Sequence, residues 1–172
     1  MKTFFKMFVI IGILFSTANL FGAQQQIVHV KGGVIDGSDK TVINENFTDV
    51  YGLANRVTLC YTVGDEATNL ATGTAKLTTR APYAFTLTGV RASVNTAPVG
   101  ATILVDVNEG ETTVISTKVM IDASEKTSVT ATTPYVISDS AIADDAELTV
   151  DIDQVGSSTA GKGLKVCLYG TR

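Results

Sequence analysis

Tryptophan is absent from this chain, and aromatic residues of all kinds make up only 7% of its 172 residues. A core without large rings has to be assembled from Val, Ile, Leu and Ala. Enrichment in β-branched residues, with Thr abundant on the opposite parity, suits pleated strands better than helices. Glycan binders usually display aromatic stacking platforms, and with only five Tyr and seven Phe the sequence does not advertise one while leaving carbohydrate binding open. There is one histidine, His29, so a Ser-His-Asp or Cys-His arrangement would have to use it. No GxSxG elbow, HExxH pair or phosphate-binding loop accompanies it. The glycine-rich stretch 156–163 precedes a strand and lacks the helix N-terminus that a phosphate cradle uses. No catalytic residue and no cofactor is predicted.

Charge is also sparse. Charged residues are 17% of the chain, below the usual quarter, and the net charge is −4. The basic residues are scattered singly rather than gathered on one face, which argues against a nucleic-acid partner. Long apolar runs are missing as well. The best, residues 7–15, is well short of the roughly 20 needed to span a bilayer. It follows Lys2 and Lys6 and leads into small residues at Ser16, Thr17 and Ala18, with Gly22 or Ala23 as a second exit. A charged start, a short apolar run and a small-residue exit describe a secretory signal peptide, the alternative being an N-terminal anchor. Residues 1–23 are therefore set apart from the fold, 24–55 form an N-terminal extension, and 56–172 carry the domain. Asn46, Phe47 and Thr48 form a glycosylation sequon, relevant only in a eukaryotic secretory pathway.

What is present is two-residue alternation. In residues 81–107, Phe85, Leu87 and Gly89 alternate with Thr86, Thr88 and Val90, and Ile103, Val105 and Val107 alternate with Thr102, Leu104 and Asp106. Between them Asn95, Pro98 and Gly100 supply turn chemistry, so the stretch reads as a hairpin. Val57, Leu59 and Tyr61 share one face of a strand over 56–63, and 70–79 is a Thr-rich edge-strand candidate. Asn108, Glu109, Gly110 and Glu111 read as a turn, followed by strands over 112–116 and 118–121. Residues 127–132 and 135–137 read as extended, and 138–145 as a single helical turn. Leu148, Val150 and Ile152 face inward opposite Glu147, Thr149, Asp151 and Asp153, and Leu164, Val166 and Leu168 repeat the pattern. About eight or more short strands separated by Gly, Asn and Pro predict an all-β antiparallel sandwich, jelly-roll-like.

Two constellations invite chemistry. The acidic pairs Asp151/Asp153, Asp144/Asp145 and Asp106/Glu109 suggest calcium, but no ligand loop of defined spacing accompanies them, and a solvated strand face is the simpler account. Cys60 and Cys167 lie on the polar parity of their strands in a chain with an export signal. They form a disulfide if the two strands are neighbours and two unpaired thiols otherwise.

Within roughly residues 80–170, positions 81–110 read APYAFTLTGVRASVNTAPVGATILVDVNEG and positions 115–170 read ISTKVMIDASEKTSVTATTPYVISDSAIADDAELTVDIDQVGSSTAGKGLKVCLYG. This resembles a β-sandwich module that recurs in tail and virion structural proteins of tailed bacteriophages. The resemblance implies a non-enzymatic, architectural or host-contacting role, with other virion or surface proteins, a host receptor or a glycan as partners, and homo-oligomerisation. It also implies location in a virion. The export signal and Cys167 depart from that pattern and point to the alternative, a secreted bacterial surface-binding module such as an adhesin or carbohydrate-binding domain. Sandwich loops gather at the ends of the fold, so the candidate contact residues are Asn95, Pro98, Gly100, Asn108, Glu109, Ser157 and Lys162.

Overall fold

The structure is a computed structural model that describes Gly52 and residues 55–172. The signal segment, most of the extension, His29 and the Asn46 sequon lie outside the described residues. From Arg56 onward the chain is built of short strands: β1 (Arg56–Val63), β2 (Gly73–Arg80), β3 (Phe85–Ser93), β4 (Ile103–Glu109), β5 (Thr112–Thr113), β6 (Ile115–Thr117) and β7 (Val119–Ile121). After a 3-10 turn at Ser128–Thr130 come β8 (Val136–Ile137), β9 (Ala141–Ile142), β10 (Glu147–Gln154) and β11 (Leu164–Thr171).

These strands form two antiparallel sheets. One has the order β1-β11-β3-β9, and the other runs β2-β10-β4-β5 with β7 also on β4. A small β6–β8 pair lies apart. The all-β sandwich predicted from the alternation is what the chain forms. Along the sequence β1, β2, β3 and β4 fall in alternate sheets, and so do β9, β10 and β11. The inward side chains of both sheets make one aliphatic core. Val90, Ile103, Val105, Val119, Ile121, Leu164 and Val166 are fully buried there.

Three local expectations fail, each for a physical reason. Residues 81–107 do contain two strands, but β3 pairs with β11 and β4 with β10, so they are not a hairpin. The nine-residue connector 94–102 crosses from one sheet to the other, because both strands carry an apolar face that must meet across the core. Residues 138–145 do not form a helical turn: Ala141 and Ile142 pair with Thr86 and Phe85, and burial of Ile142 decides the matter. Ser128–Thr130 is a 3-10 turn rather than extended, with the Thr127 hydroxyl accepting from Val129 N.

The apolar face of β3 also shifts part-way. Phe85 and Leu87 are buried, but so are Val90 and Ala92, which have the other parity. The register with β11 jumps from Leu87–Gly170 to Gly89–Tyr169, leaving Thr88 without an opposite residue. That bulge re-aims the second half of the strand into the core. Gly170 is required beside it, since a Cβ there would meet the Phe85 ring at 2.7 Å.

Candidate contact surface

In the β1–β11 register Cys60 lies directly opposite Cys167, with Cα atoms 4.0 Å apart and the sulfurs bonded. Of the bonded and unbonded alternatives, the structure contains the bond. It lies on the outer face of the sheet, away from the core. Arg56 lies opposite Thr171 at the end of the same ribbon, and Arg172 N donates to Asn55 O at 2.8 Å. Residues 55 and 172 therefore emerge side by side at one end of the sandwich.

Two of the candidate loops lie at the opposite end, and they are not separate. Asn95 N and Thr96 N both donate to Lys162 O (2.9 and 3.3 Å), and Lys162 N donates back to Thr96 O at 3.2 Å. Val99 N donates to Thr159 O and Ser158 N to Val99 O, each at 2.9 Å. Leu70 N, from the β1–β2 connector, donates to Gly161 O at 2.9 Å. Segments 95–100 and 156–163 are thus zipped into a single ladder-like surface.

Close backbone approach explains the glycines of this zip. A Cβ on Gly156 would overlap Thr159 O and come within 2.8 Å of Val99 N. Gly161 has φ 94° and would press a Cβ against Ile103 Cδ1 at 2.9 Å, so both space and backbone conformation exclude a side chain.

Polar side chains brace the same end. Lys165 Nζ donates to Asn95 Oδ1 and to Glu66 Oε1, each at 2.9 Å. The hydrogen bond from Lys165 is the main reason the Glu66 carboxyl lies below its ordinary range. Asp65 is lowered too, chiefly by the backbone amide of Thr68, then by the Thr68 hydroxyl and the Ala67 amide. Pro98 is buried and its carbonyl accepts from Ser124 N, so it anchors the loop. Val99, Gly100 and Ser157 are exposed and Lys162 is half-buried.

Asn108 and Glu109 are not loop-tip residues and do not join this surface. They are the last two residues of β4, at the end where residues 55 and 172 emerge, and the turn proper is Gly110 and Glu111. Asn108 is buried and donates to Thr149 Oγ1 (3.3 Å) and Asp151 Oδ2 (3.1 Å). Glu109 is half-buried and accepts from Ala143 N at 2.9 Å. Both are held in the sheet because β4 is paired there on both sides, with β10 and with β5.

The acidic residues of β4 and β10 resolve into internal pairs. Asp106 and Asp151 are direct cross-strand partners, an arrangement that repulsion disfavours. They turn to different neighbours. Asp151 accepts from Ala75 N (2.7 Å) and from Asn108, while Asp106 accepts from the Thr113 hydroxyl (2.6 Å) and the Val107 amide (2.9 Å). Lys118 Nζ bonds Asp153 and lies 3.6 Å from Asp106 Oδ2, filling the place a cation would take. The Asp153 bond is the largest reason the Lys118 ammonium is raised above its ordinary range. Among the described residues no group of His, Cys, Asp or Glu has metal-holding geometry. The role of Lys118 was missed in the sequence, where the available signal was its polar parity beside Val119.

Comparison with known protein families, characterised proteins and solved structures finds no match to this chain.

Proposed function

We propose that residues 56–172 are a non-enzymatic structural module of tailed-phage tail or fibre type, which holds its zipped loop end against another surface, such as a host envelope. One observation carries this reading. The described chain enters and leaves at one end of the sandwich, while 95–100 and 156–163 are joined into a single braced surface at the other. An anchored domain that must present a fixed face has this polarity. Loops on a rigid scaffold are where recognition is usually placed, and pre-ordering them lowers the entropy lost on binding.

The Cys60–Cys167 bond favours a second reading, a secreted bacterial surface-binding module, because disulfides persist in oxidising compartments. Mass spectrometry of purified phage particles, with electron microscopy of the same sample, separates the two. The protein found in stoichiometric amount in particles supports the first reading. Its absence there, with a mature form in periplasm or medium, replaces the first reading with the second.

A further inference from the structure

The two free edges on the β1/β2 side of the sandwich are treated differently by the sequence. β2 is guarded. Its pairing with β10 slips between Val150 and Ile152, Ala75 takes a left-handed conformation (φ 46°) tied to Asp151 Oδ1, and Lys76 stands exposed on the strand. Bulges and lysines are the usual means by which an edge strand avoids pairing with another chain. β1 has none of them. Its eight residues, RVTLCYTV, contain no Lys, Asp, Glu, Pro or Gly, and its register with β11 is unbroken from Arg56–Thr171 to Val63–Leu164. Among the described residues no strand pairs with its outer edge. Val57 and Val63 are buried, yet the inward-facing Leu59 and Tyr61 between them remain half-exposed.

We infer that β1 is an assembly edge that pairs antiparallel with β1 of a second copy about a two-fold axis through Cys60. Parity limits the register to one centred on a residue, because opposed residues must share a face, and of these the one centred on Cys60 matches like with like. With Cys60 opposite itself, Val57 meets Val63 and Leu59 meets Tyr61 on the core side, and Thr58 meets Thr62 on the outer side. Away from Cys60 itself, each opposed pair from Val57 to Val63 is then apolar with apolar or hydroxyl with hydroxyl. Arg56 falls opposite Gly64 of the second copy, next to Asp65. Arg56 forms no ion pair among the described residues, and Asp65 is satisfied only by Ala67 and Thr68. The two-fold would supply each with an opposite charge at both ends of the ribbon. Self-complementarity of this kind selects a second copy over an unrelated strand as the occupant. The inference does not depend on what the loop end binds.

The test uses the full chain and two double variants at exposed outer-face positions. T58K/T62K sets lysine opposite lysine twice across the two-fold, whereas T58K/T62E sets lysine opposite glutamate twice. Sedimentation velocity over a concentration series gives the dimer dissociation constant, and circular dichroism confirms that each variant folds. The wild type is expected to dimerise, T58K/T62K to dissociate about tenfold more readily, and T58K/T62E to return to the wild-type value or tighter. A wild type that stays monomeric overturns the inference, whether its edge is free or covered by its own chain. A dimer indifferent to both variants, or weakened alike by both, also overturns it.

Discussion

Replacing both Cys60 and Cys167 with serine tests what the cross-strand bond contributes. The bond closes a loop with a sequence separation of 107 residues, almost the whole domain. In the chain-entropy account that closure removes about 16 cal/mol/K from the unfolded chain, or about 5 kcal/mol at 25 °C. Both side chains lie on the outer face, so serine leaves no core cavity and adds no second large term. A domain of this size typically has a total stability of about 5–15 kcal/mol, so the loss is a large share of it. The corresponding fall in melting temperature is about 20 °C. Urea and thermal unfolding of the oxidised wild type and the double variant, followed by circular dichroism, measure the difference. A change under about 1 kcal/mol with native secondary structure in both would refute the reasoning.

Other consequences can be checked alongside it. Lys118→Met leaves Asp106 and Asp153 without their cation and should cost about 1 kcal/mol, since the pair is only partly shielded from water. The Lys118 ammonium is raised in the fold, so its contribution is complete below the unfolded lysine value and is lost as pH rises through the folded one. The variant should lack that alkaline loss in melts taken above about pH 10. The Asp65, Glu66 and Asp122 carboxyls are lowered, so their contributions exist above the unfolded carboxylate range and vanish as pH falls through the folded values. Carboxyl-carbon NMR titration should show Asp65 titrating below an ordinary aspartate, and Thr68→Val, which removes the hydroxyl but keeps the Thr68 and Ala67 amides, should raise it only part of the way. Gly156→Val should destabilise by about 2–3 kcal/mol or more, because its Cβ would collide with two backbone groups of the zip. The same exchange at Gly52, where among the described residues nothing lies within 4 Å of an added Cβ, should leave the melting temperature almost unchanged.

Much of this fold is readable from alternation, and the reason is parity. Leu148, Val150 and Ile152 share one face, as do Leu164, Val166 and Leu168, and all six are buried. Pairing is less readable. Asn95, Pro98 and Gly100 have the chemistry of a hairpin turn, yet the nine-residue connector joins different sheets. Local turn signals report that the chain bends, while the core decides which strand it meets next. The SDSAIADD stretch shows the same limit: its serines look like helix caps, but Ile142 is drawn to the free edge of β3. At the candidate surface the loops over 95–100 and 156–163 were visible as turn-rich segments. Their joining was not, because it rests on backbone hydrogen bonds that carry no side-chain signature. Asn108 and Glu109 were misplaced for the converse reason, a turn-like composition on residues that the β4–β5 pairing encloses.

The joined loop end is the claim on which the functional reading stands, and native-state hydrogen exchange tests it most directly. The amides of Leu70, Asn95, Val99, Ser158 and Lys162 each donate to a backbone carbonyl within the zip. The account predicts that they exchange together, slowly, at rates approaching those of the flanking β3 and β11 amides. Exchange of these five amides at free-loop rates, with the strands protected, would contradict it.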